Sequence, residues 1–184
     1  MRLLTAIRAG EDGLTRRIAS WDSPWTRGLL PRVEDAAEHT KLWWGAAAVM
    51  AAWGGGRGRR AAAAGVAGMA VAQVIANGVA KPIVERRRPP KEWFRDEDVE
   101  GRPNSSSFPS GHTAAAVAFA CSVTPTWPRA GAACAMPTVL VAIERVHSGA
   151  HYPSDVAAGA GIGLAAAAAV RAAPRLLPNR ANHT

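Results

Sequence analysis

Residues 61–80 read AAAAGVAGMAVAQVIANGVA, twenty residues without an Asp, Glu, Lys or Arg. A helix of about 20 apolar residues is the length that crosses the ~30 Å hydrocarbon core of a bilayer. An amphipathic helix on a water-soluble protein shows a charge every turn or so on its outer face, and this stretch shows none. Four more stretches are charge-free: 42–56, 112–128, 130–143 and 156–170. They are shorter, at 14–17 residues, but Lys41, Trp43, Trp44, Arg57, Trp127, Arg129 and Arg171 flank them and can reach the interface by snorkelling. The mean hydropathy of −0.03 hides this pattern because the charges are segregated. Strict alternation of apolar and polar residues is absent, which argues against strands. The expected fold is therefore all-α, a polytopic membrane bundle of about five spans. A soluble Ala-rich bundle is the competing reading.

The remaining sequence fits one domain over residues 1–184, since 184 residues leave little room for a second. Residues 1–41 form a polar segment, 42–172 the helical core and 173–184 a polar tail. In the first segment Leu3, Leu4, Ile7, Leu14 and Ile18 recur at helical spacing among charges, as in an amphipathic helix lying in the membrane interface. No apolar run follows Arg2, so a signal peptide is not expected there. Ser23-Pro24 and Pro31 are expected to break the segment. The 41 Ala and 18 Gly suit close helix contacts in lipid. Cys121 and Cys134 both lie in apolar runs, which excludes a disulfide scaffold and a Cys-based zinc knuckle. The net charge of +8 is accounted for by helix flanks, and no nucleic-acid-binding motif accompanies it. Oligomeric state is not legible.

Five spans would fix the topology. The turns 57–60 and 127–129 and the tail fall on one side; the N-terminal segment, 81–111 and 144–155 fall on the other. The tail side carries seven Arg and no acid. Basic density in short loops makes that side cytoplasmic, whereas the raw count points the other way, with 15 basic residues and all 14 acids on the longer opposite side.

Three polar clusters then share the opposite side. Lys81 and Arg88 are seven residues apart, about two helical turns, so both cations can face one way and hold a phosphate. A plain basic flank for lipid head groups is the alternative. Pro109-Ser110-Gly111-His112 opens a helix: Ser110 suits an N-cap, the helix start favours an anion, Gly111 admits close approach, and His112 could give a proton to a leaving oxygen. The alternative is an ordinary cap beside an interfacial His. The third cluster is Arg145, His151 and Asp155. Asp155, one helical turn on, can reach back to His151, fix its tautomer and leave the other nitrogen nucleophilic. Asp155 could equally be only a carboxylate favoured by a helix dipole. His147, His151 and Asp155 also imitate a zinc site. Trp93 and Phe94 could touch a lipid chain, and Asp96–Glu100 is expected to be a solvated loop face.

In order, the three read Lys-x6-Arg-Pro, Pro-Ser-Gly-His and Arg-x5-His-x3-Asp. This resembles the type 2 phosphatidic acid phosphatase family, whose members include soluble bacterial acid phosphatases and vanadium haloperoxidases. The match runs from Lys81 to Asp155. One position departs: the third motif usually begins Ser-Arg, and here it is Glu144-Arg145. A carboxylate there can compete with phosphate for Arg145. The resemblance implies that Lys81, Arg88 and Arg145 hold phosphate oxygens and that Ser110 and Gly111 add donors. It implies His151 as nucleophile, Asp155 as its orienting partner and His112 as acid, then base. It implies no cofactor and no metal, and a lipid phosphate as substrate; with the topology above, the site is expected at the extracytoplasmic face of the inner membrane. A soluble acid phosphatase of the same family and a non-catalytic phospholipid-binding or transport protein are the alternatives.

Overall fold

The computed structural model describes residues 2–99, 102 and 104–176. All regular structure among them is helical. Seven helices follow in order: α1 Arg2–Ala19, α2 Pro24–Ala37, α3 Lys41–Trp53, α4 Gly55–Ile83, α5 Gly111–Val123, α6 Pro128–His147 and α7 Pro153–Leu176. Residues 177–184 of the expected tail lie outside the described residues.

Helix α5 is the hub. Its charge-free sequence is apolar on every face, so it is buried all round, with Ala114, Ala115, Ala118, Phe119 and Val123 inaccessible to solvent. It packs most extensively on α7 and α4, and also on α6. Small residues set the spacing. A Cβ on Gly163 would lie 2.7 Å from the Ala114 carbonyl oxygen, and one on Gly159 would lie 2.4 Å from that of Ser110. Backbone-to-backbone approach of this kind is what Gly in a lipid-facing bundle permits. On the other flank Trp43 of α3 meets Phe119 with ring centroids 5.3 Å apart. Of the two roles open to Trp43, interfacial anchor or packing residue, the structure shows packing in the core.

Two helices are long and apolar enough to cross a membrane, Gly55–Ile83 and Pro153–Ala173. Only 33% and 22% of their apolar windows are buried in the protein. A soluble core helix would be mostly buried, so these faces need another apolar surface. Helices α3 and α5 have 13 residues each, about 20 Å at 1.5 Å per residue, short of a ~30 Å core by themselves. The expectation of about five spans thus holds, by length and composition, for two.

The two expected sides are physically assembled. At one end the Arg57 Nε donates to the Thr126 carbonyl at 2.8 Å. Trp127 covers Gly54 and Gly58 there, which joins the α3–α4 and α5–α6 connections. At the other end α1 and α2 pack on α6, and α1 also on α7. Three local expectations are corrected. Pro31 does not break the chain; it sits inside α2, where the carbonyl that loses its partner belongs to exposed Arg27. Residues 57–60 are helical rather than a turn, because the chain reverses earlier, at Gly55 with φ +55°. Helix α6 continues to His147, so Glu144 and Arg145 belong to its last turns. Arg145 and His147 there suit the negative end of the helix dipole.

Candidate active site

The described residues between α4 and α5 are tied together by hydrogen bonds. The Ser107 N–H donates to the Arg86 carbonyl at 2.9 Å, and the Ser106 hydroxyl donates to that of Val84 at 2.6 Å. Arg102 donates to the Ser148 carbonyl at 2.7 Å and to that of Pro89 at 3.2 Å. These bonds fold 84–90 against 104–108 and dock both on the α6–α7 connection. Arg102 stacks on Phe94 at 4.6 Å, and Arg16 covers Trp93 at 4.2 Å. A guanidinium thus covers one face of each ring. Burial, with Arg88 adding to it, lowers the Arg102 pKa to about 10. Asp98 is not simply solvated either: it takes two bonds from Arg95, at 2.8 and 3.0 Å, while Glu100 lies outside the described residues.

His151 sits in the α6–α7 connection, 3% exposed. Its Nδ1 is 2.5 Å from the Ser107 carbonyl oxygen. A carbonyl only accepts, so Nδ1 carries the proton and Nε2 keeps its lone pair. Asp155 lies close, but its Oδ2 is 3.9 Å from Nδ1, beyond hydrogen-bonding distance. The expected tautomer is therefore set by the backbone of Ser107 rather than by Asp155. Burial lowers the His151 pKa, against the pull of Asp155, and the charges of Arg88 and Arg145 act in the same direction as burial.

Asp155 is fully buried in the first turn of α7. Its Oδ1 accepts from Arg86 at 2.6 Å and its Oδ2 from the Tyr152 N–H at 2.9 Å. The Asp155 carbonyl accepts from the Ser110 N–H at 3.0 Å, which ties the start of α5 to the start of α7. Ser110 is the N-cap of α5, as its sequence suggests. It is fully buried, and its hydroxyl is engaged with the Thr113 N–H at 3.4 Å and the Thr113 hydroxyl at 3.0 Å. The hydroxyl oxygen thus caps the helix by accepting, and a hydroxyl that accepts keeps its O–H as a donor. Gly111 lies under the Asn77 amide, which would be 2.7 Å from a Cβ.

The cations converge. His112 is within electrostatic reach of Arg145, His151, Lys81 and Arg88. Arg88 donates to the Ala150 carbonyl at 2.5 Å, beside His151. It also lines a cavity of about 680 Å³ with Arg86, Arg87, Lys91 and Arg102. Arg145 is almost wholly buried and holds two carboxylates: Glu144 on its Nε, and Glu34 of α2 at 2.8 Å. Glu144 thus contacts Arg145, and Glu34 adds a second carboxylate. His147 is turned the other way, its Nε2 3.0 Å from the Trp21 carbonyl. Among the described residues no group of three His, Cys, Asp or Glu side chains could hold a metal ion.

Lys81, Arg88, Ser110, Gly111, His112, Arg145, His151 and Asp155 therefore meet at one end of the bundle. Sequence reasoning missed Arg86, Glu11, Glu34 and Ser107. Arg86 stands in the run Arg86-Arg87-Arg88, where spacing singled out only Arg88. Ser107 acts through its carbonyl, which no residue type reveals.

Two solved structures share the architecture. A transmembrane PAP2-type phosphatidylglycerolphosphate phosphatase from Bacillus subtilis superposes with a TM-score of 0.69 at 20% identity, over 95% of this chain and 90% of that one. LpxE from Aquifex aeolicus gives 0.70 at 19% identity, over 86% and 93%. No curated protein sequence matches the chain. Residues 61–177 match the PAP2 superfamily, a stretch that contains all three motifs and most of the bundle. With that match and this shared fold, the chain belongs to the PAP2 superfamily.

Proposed function

We propose that the protein is an integral-membrane phosphatase that removes phosphate from a membrane lipid through a phosphohistidine. The carrying observation is His151: a buried ring with its Nδ1 committed to a carbonyl, beside a buried Asp155 and among cations. Nε2 of His151 attacks phosphorus in line. The Nε2–P bond forms as the bond to the lipid oxygen breaks, and His112 gives that oxygen its proton. His112 then takes a proton from water, whose oxygen attacks phosphorus and releases phosphate and free His151. Lys81, Arg88 and Arg145 neutralise the equatorial oxygens, and Asp155 stabilises the charge that His151 acquires. Phosphoryl transfer needs positioning and charge neutralisation above all, and these residues can supply both without a metal.

The lipid reading rests on the exposed apolar faces of α4 and α7, with Val74, Ile83 and Leu164 more than half exposed. In this reading α3, α5 and α6 also cross, since they run between the same two ends, and α1–α2 lie at the interface. The basic, acid-free end is cytoplasmic and the site faces out. Candidate substrates are phosphatidic acid, phosphatidylglycerol phosphate, a polyprenyl diphosphate or a polyprenyl sugar phosphate.

Phosphate release from a lipid panel in detergent, with EDTA present and with His151→Ala alongside, tests this. The expected result is release that survives EDTA and disappears in the variant. Loss with EDTA points instead to a metal-assisted hydrolase, and full turnover by His151→Ala removes the nucleophile.

A further inference from the structure

We infer that Arg86 and Glu11 are positioning residues for the Asp155–His151 pair, joined in an ion-pair bridge that begins on α1. The inference rests on the proposed roles of His151 and Asp155. An ionised carboxylate with no solvent contact requires charged or hydrogen-bonding partners. Asp155 has them in Arg86 and the Tyr152 N–H. Arg86 is itself fixed on three sides. Its second terminal nitrogen donates to Glu11 at 2.7 Å, its first also donates to the Ser154 hydroxyl at 2.7 Å, and its plane lies 4.3 Å over the Tyr152 ring. Glu11 in turn accepts from the Ser154 N–H at 3.0 Å and from the Ser154 hydroxyl.

One guanidinium thus spans two carboxylates, which a lysine ammonium cannot do with the same fork geometry. The bridge is not a surface ion pair: side-chain exposure is 13% for Glu11, 28% for Arg86 and nil for Asp155. Burial works against the Arg86 cation, yet Asp155 and Glu11 outweigh it and hold its pKa above the ordinary value. Glu11 lies outside the stretch matched to the superfamily, so the bridge brings the N-terminal helix into the site from beyond it.

The test compares Arg86→Gln, Arg86→Lys, Glu11→Gln and the double variant with His151→Ala. Arg27→Gln, which breaks the exposed pair with Asp22, is the control. Turnover of a short-chain lipid phosphate is read as kcat and KM, with thermal unfolding beside it. Arg86→Gln is expected to lower kcat about 10–100-fold with KM within about twofold, as for loss of a hydrogen bond to a charged group. Arg86→Lys recovers part of that loss. Glu11→Gln loses less, and the double variant little more than Arg86→Gln alone, because the two act through one chain of contacts. Unchanged kcat in a folded Arg86→Gln protein overturns the inference, as does a change confined to KM. If Arg86→Gln does not fold, Glu11→Gln decides: wild-type kcat there also overturns it. Wild-type turnover in His151→Ala sinks the proposed function instead, and is read separately.

Discussion

Arg145 shows how one side chain can temper a site. Glu144 and Glu34 already occupy its guanidinium. In the proposed mechanism phosphate must share or displace them. Glu144→Ser removes the nearer competitor and restores the family's usual residue. Inhibition by inorganic phosphate should then tighten about tenfold, the worth of one charge-assisted contact of about 1.4 kcal/mol. An unchanged inhibition constant would show that Arg145 lies outside the anion site. His151 sets the response to acid. Its pKa lies below 6.5, held down by burial and by Arg88 and Arg145 against Asp155. Around and below pH 6.5 the unfolded chain therefore binds more proton at this ring than the native chain does. Stability falls as pH drops below 6.5, but the native ring stays neutral and nucleophilic until pH passes its own lower pKa. The acid limb of kcat/KM should accordingly lie below pH 6.5. A limb at or above 6.5 contradicts this environment.

At the scale of helices, the contact of α7 with α5 aligns the two histidines. Gly159 faces the Ser110 carbonyl at a distance no Cβ tolerates, whereas Gly161, two residues on, has nothing within 4 Å. Gly159→Ala should lower thermal stability by about 1–3 kcal/mol and reduce turnover, because α7 must move off the turn that carries His112. Gly161→Ala should be neutral or stabilising by about 0.4–1 kcal/mol. Equal melting temperatures for the two would show that α7 packs differently. Much at this scale was legible beforehand. Charge-free runs located α3 to α7, and Ser110 marked the start of α5 because its cap chemistry is local. Helix ends were less legible. Arg57, Arg59 and Arg60 read as a turn, but the reversal needs only Gly55, and Arg57 is satisfied by a distant carbonyl on Thr126. Glu144 and Arg145 read as loop because charge ends a membrane run, yet a buried ion pair lets α6 carry both inside.

The whole molecule is polarised. One end gathers Arg57, Arg59, Arg60 and Arg129 around the Thr126 contact, and the other gathers the motif residues under α1 and α2. With Cys121 and Cys134 replaced by Ala, a cysteine placed at Arg59 and one at Lys91 should label from opposite faces with a membrane-impermeant maleimide. In intact cells Lys91→Cys is expected to react and Arg59→Cys to react only after permeabilisation. Labelling of both from outside contradicts the crossing of α4. Which residues meet at that end was readable from motif order, because histidines are side chains of rare type at fixed spacing. What holds them was not, because Glu11 with Arg86 and Glu34 with Arg145 pair over long separations in sequence.

The bond from His151 to the Ser107 carbonyl bears on how such a site tolerates mutational drift. A main-chain oxygen belongs to every amino acid, so no substitution at position 107 deletes it. The ring's compass is inherited from the path of the loop rather than from the identity of a neighbour. For this one bond the side chain at 107 is free to vary, whereas a single inserted or deleted residue between Arg86 and Ser107 would slide a different carbonyl past the ring. For the ring's orientation, the length of that loop counts for more than the letter at position 107.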